Sequence, residues 1–73
     1  MDLNQFLPDL ERLEADGAIV LLKWDGKRKK LKKTVMISKP AMEYLFRRDT
    51  DDLENTILEA IADYDEHCNT DLT

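Results

Sequence analysis

Apolar residues in this chain follow two different periods, and the switch between them constrains the fold more than any other feature. At the start, Leu3, Phe6, Leu7, Leu10 and Leu13 recur at spacings of three and four. Near the end, Leu53, Ile57, Ala60, Ile61, Tyr64 and Cys68 do the same. Such spacing places apolar side chains on one stripe of a helix. Between the stripes lie two runs of another kind, AIVLLKW (18–24) and LKKTVMIS (31–38), rich in the β-branched and aromatic residues that favour strands.

The first stripe predicts a helix over 2–16. Asp2 and Gln5 have capping-box spacing, and Gly17 suits the left-handed position just past a helix end. Pro8 interrupts this reading, because a proline inside a helix removes a hydrogen bond and clashes with the preceding turn. Either the helix kinks there, or Leu3 to Leu7 form a separate turn and Pro8 sits at a helix start.

Asp25-Gly26 is a hairpin signal. A two-residue turn would set Trp24 against Lys27 and Leu22 against Lys29. A longer loop over 25–30 pairs Trp24 with Leu31, Val20 with Val35 and Ala18 with Ile37, so matched apolar pairs favour it. One mismatch remains, Leu22 against Lys33. The second face of the hairpin then carries Ile19, Leu21 and Met36 with Lys23, Lys32 and Thr34.

Ser38-Lys39-Pro40 reads as a helix start. Met42, Leu45 and Phe46 predict a short helix over 40–48. Asp49 to Asp52 break it, and Asp51 with Glu54 suggests a capping box for a last helix over 52–67. Residues 69–73 read as a frayed tail. The expectation is one small α+β domain over 1–73, in the order α-β-β-α-α, with an antiparallel β-hairpin packed against helices.

Length and composition narrow the function classes. Seventy-three residues bury only about 60% of the unfolded surface, so the core is thin. An apolar share of 42% is too high for a disordered tail. The longest apolar run, Ala18 to Leu22, is far short of a membrane span, and the N-terminus lacks the pattern of a signal peptide. One cysteine, Cys68, cannot form an internal disulfide, which favours a reducing, cytoplasmic setting. With His67 it makes only two candidate zinc ligands where a structural site takes four. As helix neighbours the two point about 100° apart, a poor catalytic dyad. Glu59, Asp63 and His67 share a face at i, i+4 and i+8, a pattern able to hold a divalent metal, but a solvated helix face accounts for it. Asp51-Asp52 is explained by capping, and Gly17 and Gly26 are too few for a phosphate loop. No cofactor, metal or small-molecule substrate is expected, and an enzyme is not.

Charge is the informative feature. The formal net charge is -5, yet Lys23, Lys27, Arg28, Lys29, Lys30, Lys32 and Lys33 are seven of the 11 basic residues. They crowd one hairpin tip with Trp24 at its base, while the acids lie mostly on the helices. Such a cluster contacts acidic protein surfaces or phosphates. It also serves as a solvated tip that discourages edge-to-edge aggregation. Against nucleic acid stands the acidic balance of the whole chain.

The expectation is therefore a small non-enzymatic interaction or regulatory module. It binds a protein partner through Lys23, Trp24, Lys27, Arg28, Lys29, Lys30, Lys32 and Lys33 and its acidic helix surfaces. Ile19, Leu21 and Met36 are a candidate interface for a homodimer. The competing arrangement is a monomer with one helix on each face of the hairpin. The second functional reading is a nucleic-acid module that uses the basic hairpin as a β-ribbon.

Overall fold

The structure is a computed structural model and describes residues 2–68; the expected frayed tail at 69–73 lies outside them. Asp2 caps a 3-10 turn over Leu3–Phe6 by accepting the N–H of Asn4 at 3.0 Å. Gln5 does not complete a capping box, since its side-chain amide reaches Glu54 instead. Helix α1 (Leu7–Ala15) then begins with Pro8 in its first turn, where a missing N–H removes no helix bond. The separate turn is thus the right placement of Pro8.

Gly17 ends α1 as the sequence predicts. Its φ is +93°, and the N–H groups of Ala18 and Gly17 bond the carbonyls of Leu13 and Glu14 at 3.0 Å each. This double closure, with Ala18 and Leu13 both buried, is a Schellman motif. It reverses the chain directly into the first strand.

Strands β1 (Ile19–Trp24), β2 (Lys33–Lys39) and β3 (Tyr44–Thr50) form an antiparallel sheet in that order. β1 pairs with β2 through Val20↔Ile37, Leu22↔Val35 and Trp24↔Lys33. The register is shifted by two residues from the predicted one, so the connecting loop runs over 25–32. The shift keeps every side chain on its predicted face and removes the Leu22–Lys33 mismatch. Leu22 gains an apolar partner, and Lys33 is opposed by Trp24 at the rim.

The fold is α+β, but the segment 40–48 is not a helix. Pro40–Met42 makes one 3-10 turn, Glu43 takes a left-handed conformation (φ +54°), and β3 follows. The spacing of Met42, Leu45 and Phe46 misleads because short apolar runs satisfy either period. Tyr44, Phe46 and Arg48 alternate with Leu45, Arg47 and Asp49, and that period of two wins once the open edge of β2 offers backbone partners. The order is α-β-β-β-α.

Helix α2 (Leu53–Cys68) buries Leu53, Ile57, Ala60, Ile61, Tyr64 and Cys68, the stripe read from the sequence, and adds Thr56. Its cap is Asp52, which accepts the backbone and side-chain N–H groups of Asn55 at 3.3 and 2.7 Å, and not Asp51 as predicted. α1 lies along β1, and α2 lies across β2 and β3. Both helices cover the same face, so Phe6, Leu13, Val35, Ile37, Ile57 and Tyr64 form one core. Arg12 joins the helices by bonding both carboxylate oxygens of Asp65, at 2.9 and 3.2 Å. The arrangement with one helix on each face does not occur, and the second face of the sheet is left uncovered.

Candidate functional site

The basic tip is a held loop. Asp25 starts it: its N–H bonds the Lys32 carbonyl at 2.7 Å, and its carboxylate accepts the N–H of Lys27 at 3.0 Å. Arg28 turns inward. Its guanidinium lies 3.3 Å from Asp25 and 3.2 Å from Asp49, and donates to the Leu31 carbonyl at 3.1 Å. Asp51 closes the other side by accepting the N–H groups of Leu31 and Lys32 at 2.8 and 3.0 Å. Leu31 sits at φ +53°, a left-handed conformation unusual for a leucine. The two Asp51 bonds and the Arg28 bond hold it there.

These contacts explain the electrostatics. The amides of Lys32 and then Leu31 hold the Asp51 carboxyl below its ordinary range. Asp49 is lowered first by the hydroxyl of Thr34, which donates at 2.6 Å, and then by Arg28. Asp25, Asp49 and Asp51 therefore brace the base of a cationic loop, and hydrogen bonds to the charged forms of Asp49 and Asp51 favour their ionised state.

The predicted site residues then divide. Lys27, Lys29, Lys30 and Lys32 project into solvent, and their side chains make no ion pair among the described residues. Arg28 is a brace, not a free contact. Lys23 lies 4.0 Å from Asp25, and Lys33 is half-buried opposite Trp24. Trp24 is 54% exposed, neither core material nor paired with Leu31. It stands at the root of the loop, beyond the end of the helix cover.

Beside the loop lies the uncovered sheet face. Ile19 and Leu21 are 54% and 46% exposed there, with Met36 half-buried between strands. β3 adds Leu45, 64% exposed, which sequence reasoning placed on a helix. Asp51 was also missed as a functional residue, because a helix-start aspartate and a loop clamp look alike in sequence.

The acidic face of α2 is occupied by its own neighbours. Glu59 pairs with Arg48, Asp63 accepts the Tyr44 hydroxyl at 2.5 Å, and the Nδ1 of His67 lies 2.8 Å from the Asp63 carbonyl. Burial, followed by the bond to Asp63, raises the Tyr44 hydroxyl far above its ordinary value. Beside Tyr44, at the same end of the sheet, the Tyr64 hydroxyl donates to Asp16, which also holds Lys39 at 3.0 Å. Burial and that bond push Tyr64 up to about 12. No group of three or more metal-ligating side chains occurs among the described residues, and no described helix is long and apolar enough to cross a membrane.

An open groove of about 490 Å³ runs between α1 and the free edge of β1. Leu10, Ala18, Val20 and Leu22 line it, with Glu11 and Glu14 at its rim. Compared with protein-family models, with curated proteins and with solved structures, the chain matches none.

Proposed function

We propose that this chain is a non-enzymatic protein-binding module of the cytoplasm. Its contact site is the braced loop, with Lys27, Lys29, Lys30 and Lys32 around the exposed Trp24. The partner is a protein surface that is acidic at its rim and apolar at its centre, and self-association is the simplest form of the contact.

One observation carries this reading: the loop is fixed in shape by Asp25, Arg28 and Asp51 while its lysines stay free. A loop that only kept the chain soluble would need neither the clamp nor a leucine in a left-handed conformation. Holding the loop in advance lowers the ordering cost of association. An exposed tryptophan at the root of a lysine-rich loop has the composition of an interface anchor and its polar rim. The carboxylates of Asp25, Asp49 and Asp51 beneath the lysines weaken the field that a phosphate backbone would meet, which favours a protein. Cys68 is a buried free thiol, in keeping with a reducing compartment.

The test replaces Lys27, Lys29, Lys30 and Lys32 with Glu. With the native chain as bait in a nuclease-treated lysate, capture falls as salt rises, and the reversed chain captures nothing. Equal capture by the two chains removes the loop as the contact. A gel shift at about 50 mM salt that weakens steeply at higher salt would instead favour nucleic acid.

A further inference from the structure

The two edges of the sheet differ in their protection. β3 ends in Arg47, Arg48, Asp49 and Thr50, charged or polar residues that deter strand addition. β1 presents Ile19, Val20, Leu21 and Leu22, with Lys23 as its single charge. The direction of its backbone is set by one bond. The Asp25 N–H points to β2, and N–H groups alternate sides along an extended strand. Val20, Leu22 and Trp24 therefore turn their N–H and C=O groups to the open edge.

Side-chain parity leads to the same three residues. Val20 and Leu22 face the helices and line the groove beside α1. Trp24 has the same parity, so its ring belongs to that face too, but it lies beyond the reach of α1. A second copy added antiparallel to β1 about a two-fold axis must keep each face on its own side. Even-numbered residues then oppose even-numbered residues, with either Leu21 or Leu22 at the axis. In both registers the partner's indole arrives over Ala18 or Val20, the floor of the groove.

The charges fit the same placement. Antiparallel pairing brings the end of one β1, with the loop that follows it, to the start of the other. Glu11 and Glu14 stand there, exposed and without ion pairs among the described residues. The lysines of the loop are also unpaired. Free cations at one end of a strand and free carboxylates at the other are complementary only when two copies run in opposite directions.

We infer that the chain forms a two-fold dimer through its β1 edges, with Trp24 of each copy seated in the α1–β1 groove of the other and Lys29 and Lys30 against Glu11 and Glu14. This rests on the protein-binding reading above and names a second copy as the partner of that site. The six strands become one sheet, and the uncovered faces with Ile19, Leu21, Met36 and Leu45 lie side by side on it.

The test is a mass measurement by light scattering across protein concentration and salt. The native chain is expected at twice its monomer mass and to dissociate as salt screens the rim. Trp24→Ala and the pair Glu11→Lys with Glu14→Lys are each expected to be monomeric, with circular dichroism unchanged. Lys29→Glu with Lys30→Glu is also monomeric alone. Mixing the two charge-reversed chains restores a one-to-one dimer, because both rims are then complementary again; a chain that merely misfolds is not rescued this way. A native chain that stays monomeric at high micromolar concentration overturns the inference. A dimer that survives both Trp24→Ala and the Glu11/Glu14 reversal also overturns it and moves the interface to the open face around Leu21. Loop-dependent capture of another protein by a monomeric chain would leave the protein-binding reading standing without this dimer.

Discussion

The half of the molecule built on α2 and the half built on α1 differ in how far each is complete within one chain. α2 buries seven residues across β2 and β3, and its polar face is engaged by Arg48, Tyr44 and Arg12. α1 buries only Leu13 and leaves a groove beside β1, with two unpaired glutamates above it. The same sheet thus has one finished flank and one flank that can take more. The lesson is about where a small domain keeps its stability and where it keeps its contacts. Burial around Ile57 and Tyr64 holds the fold, so the β1 flank is free to expose Trp24, Ile19 and Leu21.

Ile57→Ala is the strongest test of that division. It empties a fully buried position on the finished flank and should cost about 2–5 kcal/mol, read from urea denaturation. A loss below about 1 kcal/mol would mean that α2 is not where stability resides. Gly17→Ala strikes the hinge between the two flanks. Nothing crowds an added Cβ there, so the cost is that of the left-handed backbone alone, about 1–2 kcal/mol by the same measurement. A neutral result would show that the turn into β1 adapts.

Acid should loosen the loop between β1 and β2 and the turn into β1 through the carboxylates that hold them. Asp16, Asp49 and Asp51 all lie below their ordinary value of 3.8 in the folded chain. The folded state therefore binds fewer protons than the unfolded one near that pH. The stability they contribute is complete above about pH 4 and is lost as the pH falls through the lowered values. Trp24 is the sole tryptophan, and its fluorescence should report loosening of the loop before circular dichroism reports loss of the helices. Coincident transitions would join the two flanks into one unit. The smallest effect on the fold is expected from Trp24→Ala, within about 0.5 kcal/mol when both chains are denatured as monomers, at a dilution and salt where the native dimer has dissociated. A larger loss would make Trp24 part of the core of a single chain.

Much of the finished flank is legible in the sequence. The stripe from Leu53 to Cys68 is long enough for its period to be unambiguous, and Gly17 and Pro8 mark the bounds of α1. β3 is not legible. In a seven-residue element, Tyr44, Leu45 and Phe46 satisfy both periods, and only the presence of β2 decides between them. The β1–β2 register differs by two residues from the one the sequence predicts, because pairing Trp24 with Leu31 buries more apolar surface than pairing it with Lys33 and the exposure of Trp24 has no local signal. The lysines of the site could be counted in advance. Its clamp could not, since Asp51 acts on residues 19 and 20 positions away and resembles a helix cap until the loop is folded over it.

That clamp gives the loop a clock of its own. The amide hydrogens of Leu31 and Lys32 lie in a segment open to water, yet both are covered by one carboxylate. They should exchange with deuterated solvent only when Asp51 lets go, more slowly than their exposed neighbours and faster than the amides of α2. Exchange at these two positions then counts the openings of the loop directly, while the rest of the chain stays folded.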